Sequence, residues 1–296
     1  MILVLGEILI DKLPTGPRPG GAPFNFAQHL QRLDHEVRFV SAVGAHDKEG
    51  RDLLEVVKQA GLDPDSVQRH PEAATGRVEV TLDAAGVPCY DIVDDVAYDF
   101  INFDLIPPMS PDMVYFGSLI QRTEHGRTGL QTYLQSLPES VLRFYDVNFR
   151  NGCTSAEILI PSLMQTDILK LNDDELVMIG KLTESDLCGD MLVEHLMNKY
   201  GISQIALTRG PNGCALYRNG EKTEAPPGPL RSDDIADTVG AGDSFAAMLT
   251  HCILNNTDAG TTLALCTRIA EYICTVPGAV PDNDLIYKSL TEKHYE

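Results

Sequence analysis

The segment from Asp237 to Met248 reads Asp-Thr-Val-Gly-Ala-Gly-Asp-Ser-Phe-Ala-Ala-Met and is followed by a further apolar run. It has the pattern of a loop that becomes a helix, because Gly240 and Gly242 permit unusual backbone torsions and the residues after them are good helix formers. Amide N–H groups that converge at a helix start are unpaired, and the helix dipole is positive there. The segment therefore predicts a binding site for a phosphate or a developing oxyanion.

Asp243 is the unexpected member of this segment, because a second negative charge beside a phosphate weakens binding unless the carboxylate has its own task. Accepting a proton is such a task. If a substrate hydroxyl attacks a phosphoryl group held at the helix start, a nearby carboxylate can orient the hydroxyl and take its proton. The alternative is that Asp243 caps the helix while Gly240 and Gly242 serve a turn. The segment alone leaves this alternative open.

Further polar candidates lie near the amino terminus. Asp11 follows the apolar run at residues 2–5, which has the character of a strand buried on both faces of a parallel sheet. Ligands collect beyond the carboxyl ends of such strands, so Asp11 is a candidate for substrate hydroxyls, with a solvated loop carboxylate as the alternative. Gly20 and Gly21 precede a helix whose first turn contains Asn25, and an amide can donate to and accept from a ligand hydroxyl. A glycine-rich loop with a capping Asn is the alternative there.

Another cluster, Asp146-Val147-Asn148-Phe149-Arg150, follows an apolar run at residues 141–145. Acidic, amide and guanidinium groups that alternate at a strand's carboxyl end can contact ligand hydroxyls and an anionic group. Arg150 is the best single cation in the sequence for an anionic transition state. The alternative is a structural ion pair between Arg150 and Asp146.

These groups require a scaffold in which strands alternate with helices. Short apolar runs followed by helical spacing recur along most of the chain, as is typical of β–α units around a parallel sheet. Residues 75–100 differ, because apolar residues alternate with polar ones up to a turn at 83–86, and we predict an antiparallel hairpin. The predicted strands are 2–5, 36–43, 113–116, 141–145, 168–171, 202–207 and 214–217. The predicted helices are one ending near 33, then 50–61, 126–137, one opening at 172–175, one after Gly242, and 263–276.

Composition limits the classes of protein and partner. With 296 residues, 43% of them hydrophobic, the chain can bury a full core as one large α/β domain or as one domain with a small appendage. A formal net charge of −20 argues against nucleic acid or an anionic membrane as a partner, whereas a small anionic ligand stays compatible. Seven singly scattered cysteines are typical of reduced thiols. No leader or membrane-length apolar run is recognised, and we expect a soluble, cytoplasmic protein.

Residues 237–245, Asp-Thr-x-Gly-Ala-Gly-Asp-Ser-Phe, resemble the C-terminal signature of the ribokinase-like (PfkB) carbohydrate kinases. Gly-Gly-Ala-Pro-x-Asn-x-Ala at 20–27 is similar to their N-terminal signature, in the form that fructokinases carry. Asp-x-Asn-x-Arg at 146–150, Asn-x-x-Glu at 172–175 and Thr-x-Gly-x-x-Gly at 208–213 follow in family order. The resemblance implies the ribokinase-like three-layer α/β/α fold with a central, mostly parallel sheet. It also implies one kinase domain over residues 1–296, with a small β-strand lid formed by about residues 10–20 and 74–100.

The same resemblance implies an ATP-dependent sugar kinase that uses Mg²⁺ and is closest to fructokinases. Asp243 is then the base, and the catalytic anion hole and phosphate contact are formed by Gly240, Ala241, Gly242 and Arg150. The implied sugar contacts are Asp11, Gly20, Gly21, Asn25, Asp146 and Asn148. The implied nucleotide contacts are Asn172, Thr208, Arg209, Gly210 and Gly213. Glu175 would act on Mg²⁺ through water, and Asp237 with the loop at 278–281 would hold a potassium ion.

The sequence departs from the family at the lid and leaves alternatives open. Only eight residues separate Asp11 from Gly20, fewer than most fructokinase-like chains have for the first lid strands. A short lid would change what covers the substrate and could remove a lid-mediated homodimer. Kinases for 2-keto-3-deoxygluconate, ribose or nucleosides such as adenosine remain alternatives, as does a non-catalytic sugar-sensing relative. The P-loop pattern does not occur, and the first β–α turn lacks the Gly-x-Gly-x-x-Gly of nicotinamide enzymes.

Overall fold

The computed structural model describes residues 1–13, 16–82, 88–150, 153–230 and 234–291. In chain order, the strands are β1 (Ile2–Leu5), β2 (Leu9–Leu13), β3 (Gly16–Gly20), β4 (Val37–Gly44), β5 (Val67–His70), β6 (Gly76–Leu82), β7 (Pro88–Ile92), β8 (Met113–Gly117), β9 (Leu142–Asp146), β10 (Ile168–Asn172), β11 (Gln204–Thr208), β12 (Cys214–Arg218) and β13 (Glu221–Ala225). The α-helices are α1 (Ala22–Arg32), α2 (Lys48–Gln59), α3 (Glu124–Ser136), α4 (Ala156–Met164), α5 (Asp173–Leu182), α6 (Gly189–Tyr200), α7 (Ala241–Leu254), α8 (Ala259–Cys274) and α9 (Leu285–Thr291).

The main sheet has the strand order β13-β12-β11-β10-β9-β8-β1-β4-β5. Its strands from β11 to β5 run parallel, and at the β13 edge β12 pairs antiparallel with β11 and β13 pairs antiparallel with β12. All four residues of β1 and all five of β8 are buried, as expected for inner strands that are covered on both faces. The predicted central, mostly parallel sheet is confirmed.

Two hydrophobic clusters cover the two faces of this sheet. Successive residues of a strand point to opposite faces, so Leu3 and Leu5 enter one cluster and Ile2 and Val4 enter the other. Side chains of α3, α4, α5 and α6 complete the first cluster, and side chains of α1, α2, α7, α8 and α9 complete the second. The arrangement is the predicted three-layer α/β/α sandwich. Within the described residues, no helix has the length and apolar character needed to cross a bilayer.

A second, smaller sheet has the order β3-β2-β6-β7. The antiparallel pairing of β6 with β7 confirms the predicted hairpin, although its turn at 83–86 lies outside the described residues. The short interval between Asp11 and Gly20 still holds two paired strands, β2 and β3, and β2 runs parallel to β6. This sheet therefore combines strands from both segments that the sequence assigned to a lid.

A buried ion pair fixes the chain beyond β7 to the body of the protein. Arg122 donates through Nε and Nη2 to the two carboxylate oxygens of Asp99, each at 2.7 Å. Its Nη2 also donates to the carbonyl oxygen of Val93 at 2.7 Å, just after β7. The Asp99 side chain is fully buried and that of Arg122 is 6% exposed. A bidentate pair with this little exposure holds a fixed geometry.

We expect Arg122→Met to lower the free energy of unfolding by roughly 3–5 kcal/mol, because it leaves the buried carboxylate of Asp99 unpaired. Urea denaturation of the purified protein measures this change. Lys48→Ala is the matched control, since it removes an exposed ion pair with Asp52 within α2 and should change stability by at most ~0.5 kcal/mol. Equal effects of the two substitutions would contradict the anchoring role.

Candidate active site

The start of α7 has the geometry predicted for an anion-binding turn. Gly240 is the residue before the helix and has a φ angle of 80°, in the left-handed region that favours glycine. A Cβ at this position would also lie 2.5 Å from the backbone of Ala279, so the loop at 278–281 packs directly on Gly240. No side chain caps this helix. The interpretation of Asp243 as a capping residue is therefore wrong. The N–H of Ala241 donates to the carbonyl oxygen of Thr238 at 3.4 Å, and the amides of Gly242 and Asp243 remain for a ligand.

The side chain of Asp243 is hydrogen-bonded to helix α1, which follows Gly20 and Gly21. Asn25, in the first turn of α1, donates through Nδ2 to Oδ2 of Asp243 at 2.8 Å. The two residues are 218 positions apart in the chain, and they are 5% and 9% exposed. Close packing of α1 on α7 thus brings the two predicted signatures together at a single carboxylate.

Burial raises the pKa of Asp243 to about 6. The hydrogen bond from Asn25 opposes this shift, as do the positive charges of Lys170 and Arg150, while the negative charge of Asp146 adds to it. A carboxylate with a pKa near 6 is ionised at neutral pH and still basic enough to accept a proton. Its electrostatic setting therefore suits a general base.

Lys170 is the functional candidate that the sequence interpretation missed. Its Nζ lies 3.0 and 3.2 Å from the two carboxylate oxygens of Asp146, on the neighbouring strand. A Cβ on Gly242 would lie 3.2 Å from this Nζ, so the ammonium group sits against the first turn of α7. Burial opposes its charge, but Asp146, Glu175 and Asp243 together keep the pKa of Lys170 above its ordinary value. The signal in the sequence is a lysine in the middle of the buried strand Ile-Leu-Lys-Leu-Asn.

Asp146 itself lies in the interior. It is fully buried, pairs with Lys170 and accepts a hydrogen bond from the hydroxyl of Tyr115 at 3.1 Å. The alternative ion pair of Asp146 with Arg150 is therefore wrong, because the partner is Lys170. The structure connects Asp146 to the anion-binding turn through this lysine, and a direct contact with substrate stays a prediction.

Three further candidate sugar contacts, Asp11, Gly20 and Gly21, lie on strands β2 and β3 or directly after them. Asp11 lies on β2, and burial raises its pKa while the charge of Arg150 lowers it. Gly20 pairs with Leu9 at the end of β3, and a Cβ there would meet the carboxylate of Asp11. Gly21 has a φ of 112°, and a Cβ on it would lie 2.5 Å from the carbonyl oxygen of Glu7. A side chain at position 20 would collide with Asp11, and one at position 21 would collide with the backbone of Glu7, so both positions require glycine.

Asn148 and Arg150 lie beyond the end of β9. Asn148 has a φ of 40°, a left-handed conformation that Asn tolerates better than most residues. The guanidinium of Arg150 is exposed and donates to the carbonyl oxygen of Phe149 at 3.1 Å. Its positive charge lowers the pKa of Glu7, Asp11 and Asp243, so all three carboxyl groups lie within its electrostatic reach.

Asn172 and Glu175 form a reciprocal capping box at the start of α5. The side chain of Asn172 accepts from the backbone N–H of Glu175 at 2.8 Å, and Glu175 accepts from the N–H of Asn172 at 2.8 Å. The other oxygen of Glu175 accepts from the N–H of Phe149 at 3.0 Å. Both residues thus have a structural task, and the action of Glu175 on metal-bound water stays a prediction. Within the described residues, no group of three or more His, Cys, Asp or Glu side chains could hold a metal ion.

The predicted nucleotide loop follows β11, next to Asn172. Thr208 is directly opposite Asn172 in the register of β10 and β11, so both lie at the same edge of the sheet. Gly210 and Gly213 have φ angles of 50° and 86° and bracket a tight turn. Arg209 pairs with Glu224 at 2.9 Å. Asp237 precedes α7, and its half-buried side chain accepts from the N–H of Val239 at 3.1 Å.

A glycine-flanked helix start with a basic carboxylate, at the carboxyl edge of a parallel sheet, defines a phosphotransferase site. The model of the pfkB family carbohydrate kinases matches residues 15–285. The chain therefore belongs to this family, whose members transfer phosphate to sugar hydroxyls. The predicted family is confirmed, and with it the ribokinase-like fold.

The named relatives are less than one third identical to this chain in sequence. A putative sugar kinase of Pyrococcus horikoshii is 29% identical over 276 residues, which cover 86% of this chain and 83% of that protein. The probable chloroplastic fructokinase-6 of Arabidopsis thaliana is 28% identical, with 86% of this chain and 70% of that protein covered.

Solved structures agree with this fold. The Pyrococcus horikoshii sugar kinase in complex with ATP has a TM-score of 0.73 and 27% identity, and 94% of each chain is covered. The Xylella fastidiosa fructokinase with bound ATP has a TM-score of 0.84 at 20% identity, over 100% of this chain and 99% of that one. A Vibrio cholerae fructokinase variant with fructose, ADP and potassium has a TM-score of 0.81 at 20% identity, over 98% and 97%. At 20% identity, the last two show the fold alone.

We expect kcat/KM to fall about tenfold per pH unit below about pH 6, because the raised pKa of Asp243 leaves its carboxyl group protonated there. Asn25→Ala removes the hydrogen bond that lowers this pKa, so the acidic limb should move upward by roughly one pH unit. The measurement is kcat/KM for the sugar between pH 5 and 8. Asn198→Ala, on the exposed face of α6, is the control and should leave the profile unchanged. If the acidic limb of the pH profile stays at the same pH in Asn25→Ala, Asn25 does not set the pKa of Asp243.

Proposed function

We propose that the protein is an ATP-dependent fructokinase that transfers the γ-phosphoryl group of ATP to a hydroxyl of fructose, giving fructose 6-phosphate. The observation that carries the proposal is the buried carboxylate of Asp243, held by Asn25 at 2.8 Å beside the uncapped amides of α7. Fructokinase relatives near 28% identity support fructose as the acceptor.

The chemistry follows from this placement. The hydroxyl of the sugar approaches Asp243, whose Oδ2 is occupied by Asn25, so Oδ1 accepts the hydroxyl proton. The hydroxyl oxygen forms a bond to the γ-phosphorus as the bond from that phosphorus to the β-phosphate oxygen breaks, and ADP leaves. Backbone amides of Gly240, Ala241 and Gly242 stabilise the negative charge on the transferred group. Lys170, beneath Gly242, and Arg150 add positive charge.

ATP would lie along the ends of β10 and β11. The ATP complex of the Pyrococcus horikoshii sugar kinase supports this nucleotide. We assign its contacts to the paired strand ends and the turn that follows, namely Asn172, Thr208, Arg209, Gly210 and Gly213.

Two cations belong to the proposal. Mg²⁺ would neutralise charge on the ATP phosphates, and Glu175 would hold it through water. Each carboxylate oxygen of Glu175 accepts one backbone N–H and has a second lone pair for a metal-bound water. Asp237 and the loop at 278–281, which packs on Gly240, would hold potassium, an ion found with a Vibrio cholerae fructokinase variant.

The partners in this proposal are small molecules. The net charge of −20 argues against nucleic acid and anionic membranes, and the scattered cysteines favour a cytoplasmic location. The small sheet β3-β2-β6-β7 would act as the lid and offers a surface for a homodimer.

A coupled assay of ADP release tests the acceptor. We expect the highest kcat/KM with fructose in a panel that also contains ribose, 2-keto-3-deoxygluconate and adenosine, because the fructokinase form of the Gly-Gly-Ala-Pro-x-Asn signature is present. A higher kcat/KM for another member of the panel would reassign the substrate. Absence of sugar-dependent ADP release with every member would favour a sugar-binding protein without turnover.

Asp243→Asn should lower kcat by ~10²–10⁴-fold, because the amide cannot accept the hydroxyl proton. ATP affinity, measured by calorimetry, should stay within about twofold, because the amides at the start of α7 are retained. Asp186→Asn, at an exposed position between α5 and α6, is the control and should leave both quantities unchanged. Near-normal turnover by Asp243→Asn would exclude this residue as the base.

A further inference from the structure

A small cavity lies next to the candidate active site, at the carboxyl ends of β1, β8 and β9. Its walls include Glu7, Tyr115, Ser118, Asp146 and, from the segment after β9, Asn148 and Arg150. With a volume of about 10 Å³, it has room for roughly one water- or hydroxyl-sized group. Glu7 is not among the residues that the sequence marked as functional.

Several polar walls of this cavity are satisfied within the protein. The hydroxyl of Tyr115 donates to Asp146, and Asp146 pairs with Lys170. The hydroxyl of Ser118 donates to the carbonyl oxygen of Val147. The polar groups of Tyr115, Asp146 and Ser118 already have partners within the protein. The lining side chains that can still bond a ligand are therefore those of Glu7, Asn148 and Arg150.

Glu7 is the unexplained member. It is only 4% exposed, and its Oε2 is buried with no hydrogen-bond partner within the described part of the chain. Burial raises the pKa of Glu7 to about 7, while its own backbone N–H, the positive charge of Arg150 and the backbone N–H of Ala22 lower it. These groups leave Oε2 without a hydrogen-bond donor among the described residues, and a buried acceptor without a donor is costly.

Arg150 supplies the complementary group. Its guanidinium lines the same cavity and lowers the pKa of Glu7 through its charge. The hydrogen bond described for its side chain uses Nη1, and a guanidinium has five N–H donors. A ligand in the cavity thus meets an acceptor on one side and a donor on another. A hydroxyl group matches both, because it donates one hydrogen bond and accepts others.

We propose that Glu7 and Arg150 form a subsite for one hydroxyl of the acceptor sugar other than the hydroxyl that is phosphorylated. The inference rests on the proposed kinase function and narrows its substrate class to neutral polyhydroxylated sugars. The ligand hydroxyl donates to Oε2 of Glu7 and accepts from Arg150. A carboxylate in the same position would face the buried carboxylate of Glu7, so sugar acids are disfavoured.

The test pairs changes in the protein with changes in the sugar. Fructose and its single-deoxy analogues are compared as acceptors for the wild-type protein, Glu7→Leu and Glu7→Gln. In the wild type, one analogue should lose roughly 10- to 100-fold in kcat/KM, since it leaves Oε2 without its donor. In Glu7→Leu, that loss should shrink to about threefold or less, because the residue that reads the hydroxyl is gone. KM for ATP should stay unchanged in both variants.

Controls separate this role from a structural one. Glu36→Gln changes an exposed carboxylate at the amino end of β4 and should keep the full penalty for the same analogue. Glu7→Gln preserves side-chain shape, so it provides the comparison if Glu7→Leu does not fold, and thermal melting shows which variants are folded. In Glu7→Gln, the penalty should fall by at least threefold, because the hydroxyl loses its hydrogen bond to a charged acceptor.

Equal penalties in the wild type and the Glu7 variants would overturn the inference and identify the cavity as the site of a structural water. Preferred turnover of a sugar acid by the wild type would also overturn it. A wild-type protein that phosphorylates no sugar gives a different result, because it would refute the proposed function itself.

Discussion

Charge buried at the carboxyl edge of the main sheet is the constraint on which the site depends. Asp146 and Lys170 lie on neighbouring strands, are both buried, and pair at 3.0 Å. Ionised groups removed from water are tolerated only when they are paired and hydrogen-bonded, and the hydroxyl of Tyr115 supplies the additional bond to Asp146. This pair fixes an ammonium group directly beneath the first turn of α7.

A cation in that position does not stabilise α7 by itself, because the N-terminal end of the helix dipole is already positive. The ammonium of Lys170 and the uncapped amides beside Gly242 therefore direct positive charge at the same point. An arriving phosphoryl group would relieve their repulsion, and such preorganised charge stabilises an anionic transition state without having to move. Burial raises the pKa of Asp243, and the hydrogen bond from Asn25 with the charges of Lys170 and Arg150 limits the rise, so that the pKa is about 6 and the carboxylate can accept a proton near neutral pH.

Strand-end chemistry was largely predictable from the sequence. Apolar runs mark buried parallel strands, and the carboxyl ends of such strands meet at one edge, where Asp146 and Thr208 lie as predicted. Asp11 lies instead on β2 of the small sheet. Lys170 interrupts one of these runs and was still missed, since its partner depends on the register between β9 and β10. The hydrogen bond between Asn25 and Asp243 joins residues 218 positions apart. It could not be predicted from the sequence, because it depends on how α1 packs on α7.

The elements that were not predicted share a weak local signal. Helix α4 contains Pro161, a residue that normally breaks helices, and tertiary packing of Ile158 and Leu159 outweighs that propensity. Strand β5 has only four residues and pairs at the edge with β4. The hairpin β6–β7 was predicted from alternation, whereas its parallel pairing with β2 comes from the distant amino-terminal segment.

The junction of the two sheets lies in this amino-terminal segment. Residues 6–8 carry the chain from β1 of the main sheet to β2 of the small one, so Glu7 stands at the junction and Asp11 follows on the small sheet. Burial raises the pKa of both carboxyl groups and Arg150 lowers both, so any shift of the small sheet changes their desolvation together. A ligand enclosed beside Glu7 would then have to supply a donor to its buried Oε2. A sugar hydroxyl meets that requirement, and an apolar ligand would leave this acceptor unpaired.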